Sequence, residues 1–81
     1  MRISTDIRDK GYDAYVEMKS RGYQAKVMLD GVEQREVMTV DTDLGYVLKA
    51  SLPIRAEGGE IVTEELYGNV EIIEVAYKGI F

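Results

Sequence analysis

The chain has 81 residues, a formal net charge of −5, and neither cysteine nor histidine. This length accommodates one domain with one small core, so residues 1–81 are treated as a single β-rich domain. The absence of cysteine and histidine excludes disulfides, thiolate zinc sites and haem attachment. The first residues form no apolar signal segment, and no apolar stretch is long enough to span a bilayer. We therefore expect a cytoplasmic protein that does not bind membranes.

The negative charge lies in the second half of the chain. Residues 1–40 carry equal numbers of basic and acidic side chains, whereas residues 41–81 carry three basic and eight acidic ones. Phosphate backbones are bound by clustered lysine and arginine, and the sequence has no such cluster, so we expect no direct binding of nucleic acid. The acidic half suits either a basic protein partner or an ordinary solvated surface, and both interpretations stay open.

The first elements in the chain are predicted to be a short strand and a helix. Apolar and polar residues alternate with period two over residues 2–7, which indicates a strand. Residues 12–21 contain good helix formers, with Asp13 placed as the N-cap and Gly22 as the C′ glycine. One narrow face of this helix is expected to consist of four side chains: Tyr12, Tyr15, Val16 and Lys19.

A β-hairpin is the clearest local prediction. Residues 23–29 alternate, Asp30-Gly31 is a favoured pair for a type I′ turn, and residues 32–40 would form the returning strand. This register places the polar residues Gln34 and Glu36 on the face that also carries the apolar side chains. Either this end of the hairpin is solvated on both faces, or a bulge shifts the register of the returning strand.

Three further strands are predicted in the second half, separated by a turn at 41–45 and a flexible loop at 55–60. They are expected at residues 46–52, 61–67 and 70–77, with a bulge at Gly68. The last strand is apolar first on one side and then on the other, as in a barrel corner or a strand between two layers. The fold class is therefore mainly β, either all-β or β-rich α+β. We expect a small antiparallel barrel or sandwich of five to six strands with one short helix.

No motif predicts catalysis or metal binding. The segment Asp41-Thr42-Asp43-Leu44-Gly45 lacks the glycine at position six and the glutamate at position twelve of an EF-hand loop. The four glutamates between residues 64 and 74 would need a deep cleft to act as a glycosidase pair, and a chain this short offers little depth. Lys49 and Ser51 are spaced like a Ser–Lys pair, but no oxyanion hole accompanies them. We expect a protein that is not an enzyme, with no catalytic residues, cofactor, metal site or small-molecule substrate.

The tyrosines point to a surface function. The chain has six tyrosines, one phenylalanine and no tryptophan. Tyrosine combines a large apolar ring with a polar tip and is common at interfaces, although cross-strand packing at the rim of a thin core would explain the same bias. Together with the second face of the last strand, the tyrosines predict a surface for a partner protein or a second copy. Its residues are Tyr46, Tyr67, Ile73, Val75, Tyr77 and Phe81.

Three segments, at residues 27–33, 39–47 and 63–72, resemble small uncharacterised proteins encoded in tailed phages and prophages. Their shared features are the Asp30-Gly31 turn, the Asp41-Thr42-Asp43-Leu44-Gly45 turn and the strand edges around them. The resemblance implies a phage origin and a compact β-rich fold. It supplies no activity and no site residues.

Two functions follow as expectations. The first is a non-enzymatic, phage- or prophage-related structural or protein-interaction module, which acts in a bacterial host or in the virion. The alternative is an acidic inhibitor that occupies the basic site of a host nucleic-acid-binding or defence protein, which requires the acids of residues 41–81 to share one face. A small hydrolase is the third interpretation, and it needs a pocket larger than about 300 Å³.

Overall fold

The computed structural model describes residues 1–76, which form nine strands and one helix. The elements in chain order are β1 (Arg2–Ser4), α1 (Tyr12–Ser20), β2 (Tyr23–Leu29), β3 (Val32–Gln34), β4 (Val37–Asp41), β5 (Tyr46–Ala50), β6 (Ala56–Glu57), β7 (Glu60–Ile61), β8 (Thr63–Tyr67) and β9 (Val70–Ala76). All pairings are antiparallel, so the predicted mainly-β fold with one short helix is confirmed. The end of the last predicted strand, at residue 77, lies outside the described residues.

The first sheet, in the order β1-β4-β5-β8, buries a row of apolar side chains. Its register pairs Ile3 with Val40, Val40 with Val47, and Val47 with Leu66. Because residues directly opposite each other on neighbouring strands share a face, these four side chains form a continuous row on the inner side. Val47, in the middle of the row, has no exposed surface.

The second sheet, in the order β3-β2-β9, and the helix complete the core. β9 pairs with the whole of β2, whereas β3 pairs only with residues 27–29. Val27 and Val70 from this sheet and Met18 from α1 join the inner row of the first sheet in one apolar cluster. The core therefore lies between the two sheets, with α1 packed against β1 and β2.

The predicted hairpin forms, but its returning strand is divided between the two sheets. Asp30 and Gly31 have positive φ angles of 49° and 80°, as a type I′ turn requires, and Val27 pairs with Gln34 as expected. The pairing stops there because Glu36 takes a φ of 59° and the chain crosses to the first sheet as β4. The prediction of one strand over residues 32–40 is wrong. The break resolves the register conflict, since Glu36 does not have to face the core.

Two details of the helix differ from the sequence-based expectation. Gly11 is the N-cap residue and makes no side-chain cap bond, while Asp13 lies in the first turn, so the predicted N-cap is wrong. The buried side chain is Met18 at 2% exposure, whereas Val16 is 45% exposed. Because the helix packs against both β1 and β2, the side that carries Met18 is the one that faces the core. Gly22, with a φ of 84°, is the C′ glycine as predicted. No helix in residues 1–76 has the length and apolar character to cross a membrane.

Several strand boundaries also change. The first strand ends at Ser4, and Ile7 beyond it is 75% exposed. The expected flexible loop at 55–60 is a small hairpin, β6–β7, closed by two glycines with positive φ. β8 begins only at residue 63, because Val62 leaves the ladder to bond with Arg55 and Ser51. Gly68 is part of the corner between β8 and β9, which belong to different sheets, so the bulge predicted between these two strands is instead a change of sheet.

Candidate interaction site

The structure divides the predicted interaction surface between two faces. Tyr46 and Tyr67 are directly opposite each other on β5 and β8 of the first sheet. Ile73 and Val75 lie on β9 of the second sheet and are exposed on its outer side. Tyr77 and Phe81, the remaining predicted residues, lie outside the described residues. The two tyrosines therefore belong to one site, and the two β9 residues belong to another part of the surface.

The tyrosines continue a polar row across the first sheet. Its register pairs Arg2 with Asp41, Asp41 with Tyr46, and Tyr46 with Tyr67. Successive residues along a strand point to opposite faces, so this row lies on the outer side, next to the buried row of Ile3 and Val40. Glu65 is two residues from Tyr67 along β8 and points the same way. We call these five residues, Arg2, Asp41, Tyr46, Glu65 and Tyr67, the tyrosine face.

Arg2 is held in position by two carboxylates. Its Nε and Nη2 donate to the two carboxylate oxygens of Asp9 at 2.9 and 2.8 Å, and its Nη1 donates to Asp41 Oδ2 at 3.3 Å. The first pair is the bidentate geometry that makes arginine–carboxylate contacts specific. The guanidinium carbon also lies 5.8 Å from the centre of the Tyr46 ring, within cation–π range. Arg2 therefore connects the loop before α1 to the middle of the sheet.

Hydrogen bonds keep both aspartates charged. The Arg2 side chain, helped by the Gly11 N–H, lowers the pKa of Asp9 to about 2. Burial pushes the pKa of Asp41 upward, but hydrogen bonds from the Leu44 N–H, from Arg2 and from the Asp43 N–H outweigh it, and the pKa lies below its ordinary value. Asp41 Oδ1 accepts the two backbone bonds at 3.0 and 2.9 Å. The predicted turn at residues 41–45 is therefore stabilised by its first residue, Asp41, which accepts hydrogen bonds from two N–H groups of the same turn.

The two tyrosine rings pack against each other. Their centres are 5.4 Å apart and the ring planes are inclined by 54°, within the range of favourable aromatic pairs. The Tyr46 hydroxyl donates to Glu65 Oε2 at 2.8 Å. Tyr46 is half-buried, whereas Tyr67 is 67% exposed. The site thus presents one exposed aromatic ring that rests on a second, fixed one.

Tyr46 gives the protein a measurable alkaline sensitivity. Burial, followed by the hydrogen bond to Glu65, raises the pKa of Tyr46 to about 12 from 10.0. Because the folded state keeps the proton longer than the unfolded chain, this contribution to stability is complete below pH 10 and disappears as the pH rises to about 12. We expect the difference in unfolding free energy between the wild type and Tyr46→Phe to shrink over that interval, as measured by urea denaturation.

Glu65→Gln is the control for this prediction. It replaces the charged acceptor of the Tyr46 hydroxyl bond with a neutral amide and leaves the tyrosine in place, so the pKa of Tyr46 in the folded state should be lower. The alkaline loss should still begin near pH 10, but it should be smaller and end at lower pH than in the wild type. A wild-type profile parallel to that of Tyr46→Phe from pH 8 to 12 would contradict the assignment.

The acidic residues of the second half do not form one face. Glu65 lies on the outer side of the first sheet and Glu71 on the outer side of the second. Several of the others are engaged locally: Asp41 with Arg2, Asp43 with the N-terminal amine, Glu57 with Arg55 and Glu74 with Arg21. Within residues 1–76, no three acidic side chains are grouped to hold a metal ion. This distribution gives little support to a concentrated acidic surface.

Sequence reasoning identified both tyrosines but missed their polar support. Arg2 and Asp9 belong to no motif, and the contact of Arg2 with Asp41 joins residues 39 positions apart. The available signal was a single arginine in an alternating strand, on the opposite face from its apolar neighbours. Such a signal cannot specify a partner so far along the chain.

No protein-family model, curated protein or solved structure matches the chain.

Proposed function

We propose that the protein is a non-enzymatic interaction module that binds a partner protein through the tyrosine face. The observation that carries this proposal is the exposed Tyr67 ring, packed at 5.4 Å on a Tyr46 that is itself fixed by Glu65 and Arg2. Tyrosine and arginine are among the residues that dominate the energetics of protein–protein interfaces. The site therefore combines the appropriate side chains with an exposed contact surface.

Preorganisation adds to the argument. An interface loses free energy when it immobilises side chains that were free before binding, about 0.5–1.5 kcal/mol for each flexible one. Arg2 is already held by Asp9 and Asp41, and Tyr46 by its hydroxyl bond. Binding would order little more than the Tyr67 ring, which has only two side-chain torsions.

The resemblance to phage and prophage proteins supports a setting for this activity. We place the module among the structural or accessory components of a phage particle or of an infected host. The acidic inhibitor remains the alternative, supported by the net charge of −5. The spread of the acids over both sheets and their local ion pairs make it the weaker proposal.

Photo-crosslinking in the host tests the proposed function. A benzophenone amino acid replaces Tyr67 in one variant and Ile7, which is 75% exposed and is not a residue of the tyrosine face, in the control. We expect a discrete crosslinked product from position 67 only, identified by mass spectrometry as a phage or host structural protein. A product from both positions, or from neither, would refute binding through the tyrosine face. A nucleic-acid enzyme as the product would favour the inhibitor.

The captured partner then allows a quantitative prediction. Tyr67→Ala should weaken binding at least about 30-fold, which corresponds to the 2 kcal/mol that defines an interface hot spot. Because Tyr67 is largely exposed and loses mainly its packing on Tyr46, the unfolding free energy of the variant should fall by no more than about 1.5 kcal/mol. Ile7→Ala, measured by the same titration, should leave the affinity unchanged. Equal losses in the two variants would show that Tyr67 is not at the interface.

A further inference from the structure

Part of β2 has an edge without a neighbouring strand. β9 pairs with the whole of β2 on one side, but on the other side β3 pairs only with residues 27–29. The chain leaves for the first sheet at Glu36, so residues 23–26 have no strand beside them on that side in the described part of the chain. The break that resolved the hairpin register also leaves a gap in the second sheet.

The main chain of β2 points into this gap. Backbone N–H and C=O groups of successive strand residues alternate between the two edges. The Asp30 N–H donates to the Asn69 carbonyl, on the β9 side, so the even-numbered residues of β2 face β9. Tyr23 and Ala25 therefore direct their N–H and C=O groups into the gap. These groups have no hydrogen-bond partner among residues 1–76.

An apolar hollow adjoins the unpaired edge. It has a volume of about 240 Å³, and its apolar lining comes from α1, β1, β2 and β4. Its aliphatic lining includes Ile3, Met18, Ala25, Val27, Val37 and Val40. The volume is below the roughly 300–1,000 Å³ typical of small-molecule sites, so it suits one or two side chains better than a free ligand.

A wider, open groove continues from the hollow toward the β2–β3 hairpin. It encloses about 430 Å³ and shares Ala25, Val27 and Val37 with the hollow. This volume meets the size that a hydrolase would require. Its lining, however, consists of a strand edge and surface charges, of which Lys26 and Glu33 face each other at 4.0 Å. We call the hollow, the open groove and the edge of residues 23–26 the β2 groove.

We propose that the β2 groove binds an extended segment of another protein, which adds to β2 as a strand and places one aliphatic side chain in the hollow. Strand addition of this kind draws its affinity from main-chain hydrogen bonds and its specificity from pockets for alternate side chains. The structure supplies both: the free groups of Tyr23 and Ala25, and the hollow beneath them. The proposal is independent of the tyrosine face, with which the groove shares no residue.

Length and charge select the occupant. Four strand residues extend over about 13 Å, whereas a stable dimer interface takes roughly 20–30 residues from each partner. The groove is therefore suited to a peptide segment and too short for a lasting dimer. Its rim carries Lys19, Lys26 and Arg35 against Glu33 and Glu36, an excess of one positive charge in a protein of net charge −5. This balance favours a segment with an acidic residue beside the aliphatic one.

Selection from a displayed library of random 12-residue peptides tests the proposal. Wild-type protein is the target, and Ala25→Pro is the counter-target. Proline removes the Ala25 N–H, which faces the groove, and leaves the hydrogen bonds between β2 and β9 in place. We expect the wild type to enrich peptides with alternating aliphatic residues and an acidic neighbour. Their affinity should fall at least tenfold in Ala25→Pro, and the Tyr23 and Ala25 amide signals should shift on titration by NMR.

Ala25→Leu is the second variant, because it fills the hollow without altering the main chain and remains informative if the proline variant fails to fold. It should also lose at least tenfold in affinity. Absence of an enriched pattern, or equal binding by Ala25→Leu, would overturn the proposal. So would slow amide exchange at Tyr23 and Ala25 in the free monomer, which would mean that the chain fills its own groove. Concentration-dependent shifts of these amides without peptide would instead identify a second copy as the occupant.

Discussion

Gly45→Ala should lower the unfolding free energy by about 3 kcal/mol or more, whereas Gly22→Ala should lower it by only about 1 kcal/mol. Both glycines have positive φ, 63° at Gly45 and 84° at Gly22, so alanine would have an unfavourable left-handed backbone conformation at either position. Only at Gly45 would the added methyl group overlap the carbonyl oxygen of Gly68. At Gly22 nothing lies within 4 Å. Urea denaturation of the two variants separates the steric contribution from the backbone contribution.

The steric contribution is large because the overlapped atom belongs to a fixed corner. The Gly68 N–H donates to the Gly45 carbonyl at 2.9 Å, at the point where the chain passes from the first sheet to the second. Asp30 holds the next residue from the other side: its N–H donates to the Asn69 carbonyl, and its carboxylate accepts the Asn69 N–H at 2.9 Å. The turn at Gly45, the corner at Gly68 and the turn at Asp30 are therefore joined by hydrogen bonds.

In a domain of this size, a loss of 1 kcal/mol corresponds to about 4–8 °C in Tm. Gly45→Ala should therefore lower the Tm by more than about 12 °C. Similar losses in Gly45→Ala and Gly22→Ala would mean that the corner yields to accommodate the methyl group. In that case the contact between the two turns would contribute little to the fixed arrangement of the two sheets.

Local features of this fold were predictable from the sequence because their causes lie within a few residues. Asp30-Gly31 specifies a type I′ turn through the φ values that both residues accept, and the register of the first hairpin pairs follows from it. Gly22 ends the helix for a similarly local reason. The alternation that located β5 and β9 also depends only on neighbouring residues.

The division of the returning strand was not predictable in the same way. Residues 32–40 contain no proline or glycine to mark a break, and the break occurs at Glu36, a residue that rarely takes positive φ. It forms because β4 gains two strand neighbours, β1 and β5, in the other sheet. This additional strand pairing involves residues far apart in the sequence, so local patterns do not reveal it. The sequence indicated a register conflict, because two polar residues fell on the face that carries the apolar side chains. It did not show how the chain avoids that conflict.

The tyrosine face shows the same limit. The pattern indicated that tyrosines lie at the surface, and Tyr46 and Tyr67 are indeed neighbours across β5 and β8. Their pairing depends on the register of two strands separated by the β6–β7 hairpin, and their support comes from Arg2 near the start of the chain. Residue types could therefore suggest an interface, but only the assembled sheet brings its members together.

Met18→Ala is expected to lower the unfolding free energy by about 3 kcal/mol, within the 2–5 kcal/mol typical of truncating a buried methionine. Met18 is 2% exposed and is the buried residue of α1. The helix has nine residues and no side-chain N-cap bond, so its own hydrogen bonds give it little independent stability. Val16→Ala, in the same helix at a 45% exposed position, is the matched control and should cost less than about 0.5 kcal/mol.

Amide exchange distinguishes a lost helix anchor from a general loss of core stability. If Met18 anchors α1, the helix amides in Met18→Ala should exchange by local opening, faster than the amides of β5 at the centre of the first sheet. Met18→Leu, which nearly conserves volume, should restore their protection. Equal acceleration of both elements would show that α1 unfolds only with the whole domain.

The size of the stability loss in Met18→Ala is informative as well. The hollow beside Met18 is already open, so the space left by truncation can join it and fill with solvent. A cost near the middle of the usual range is therefore expected.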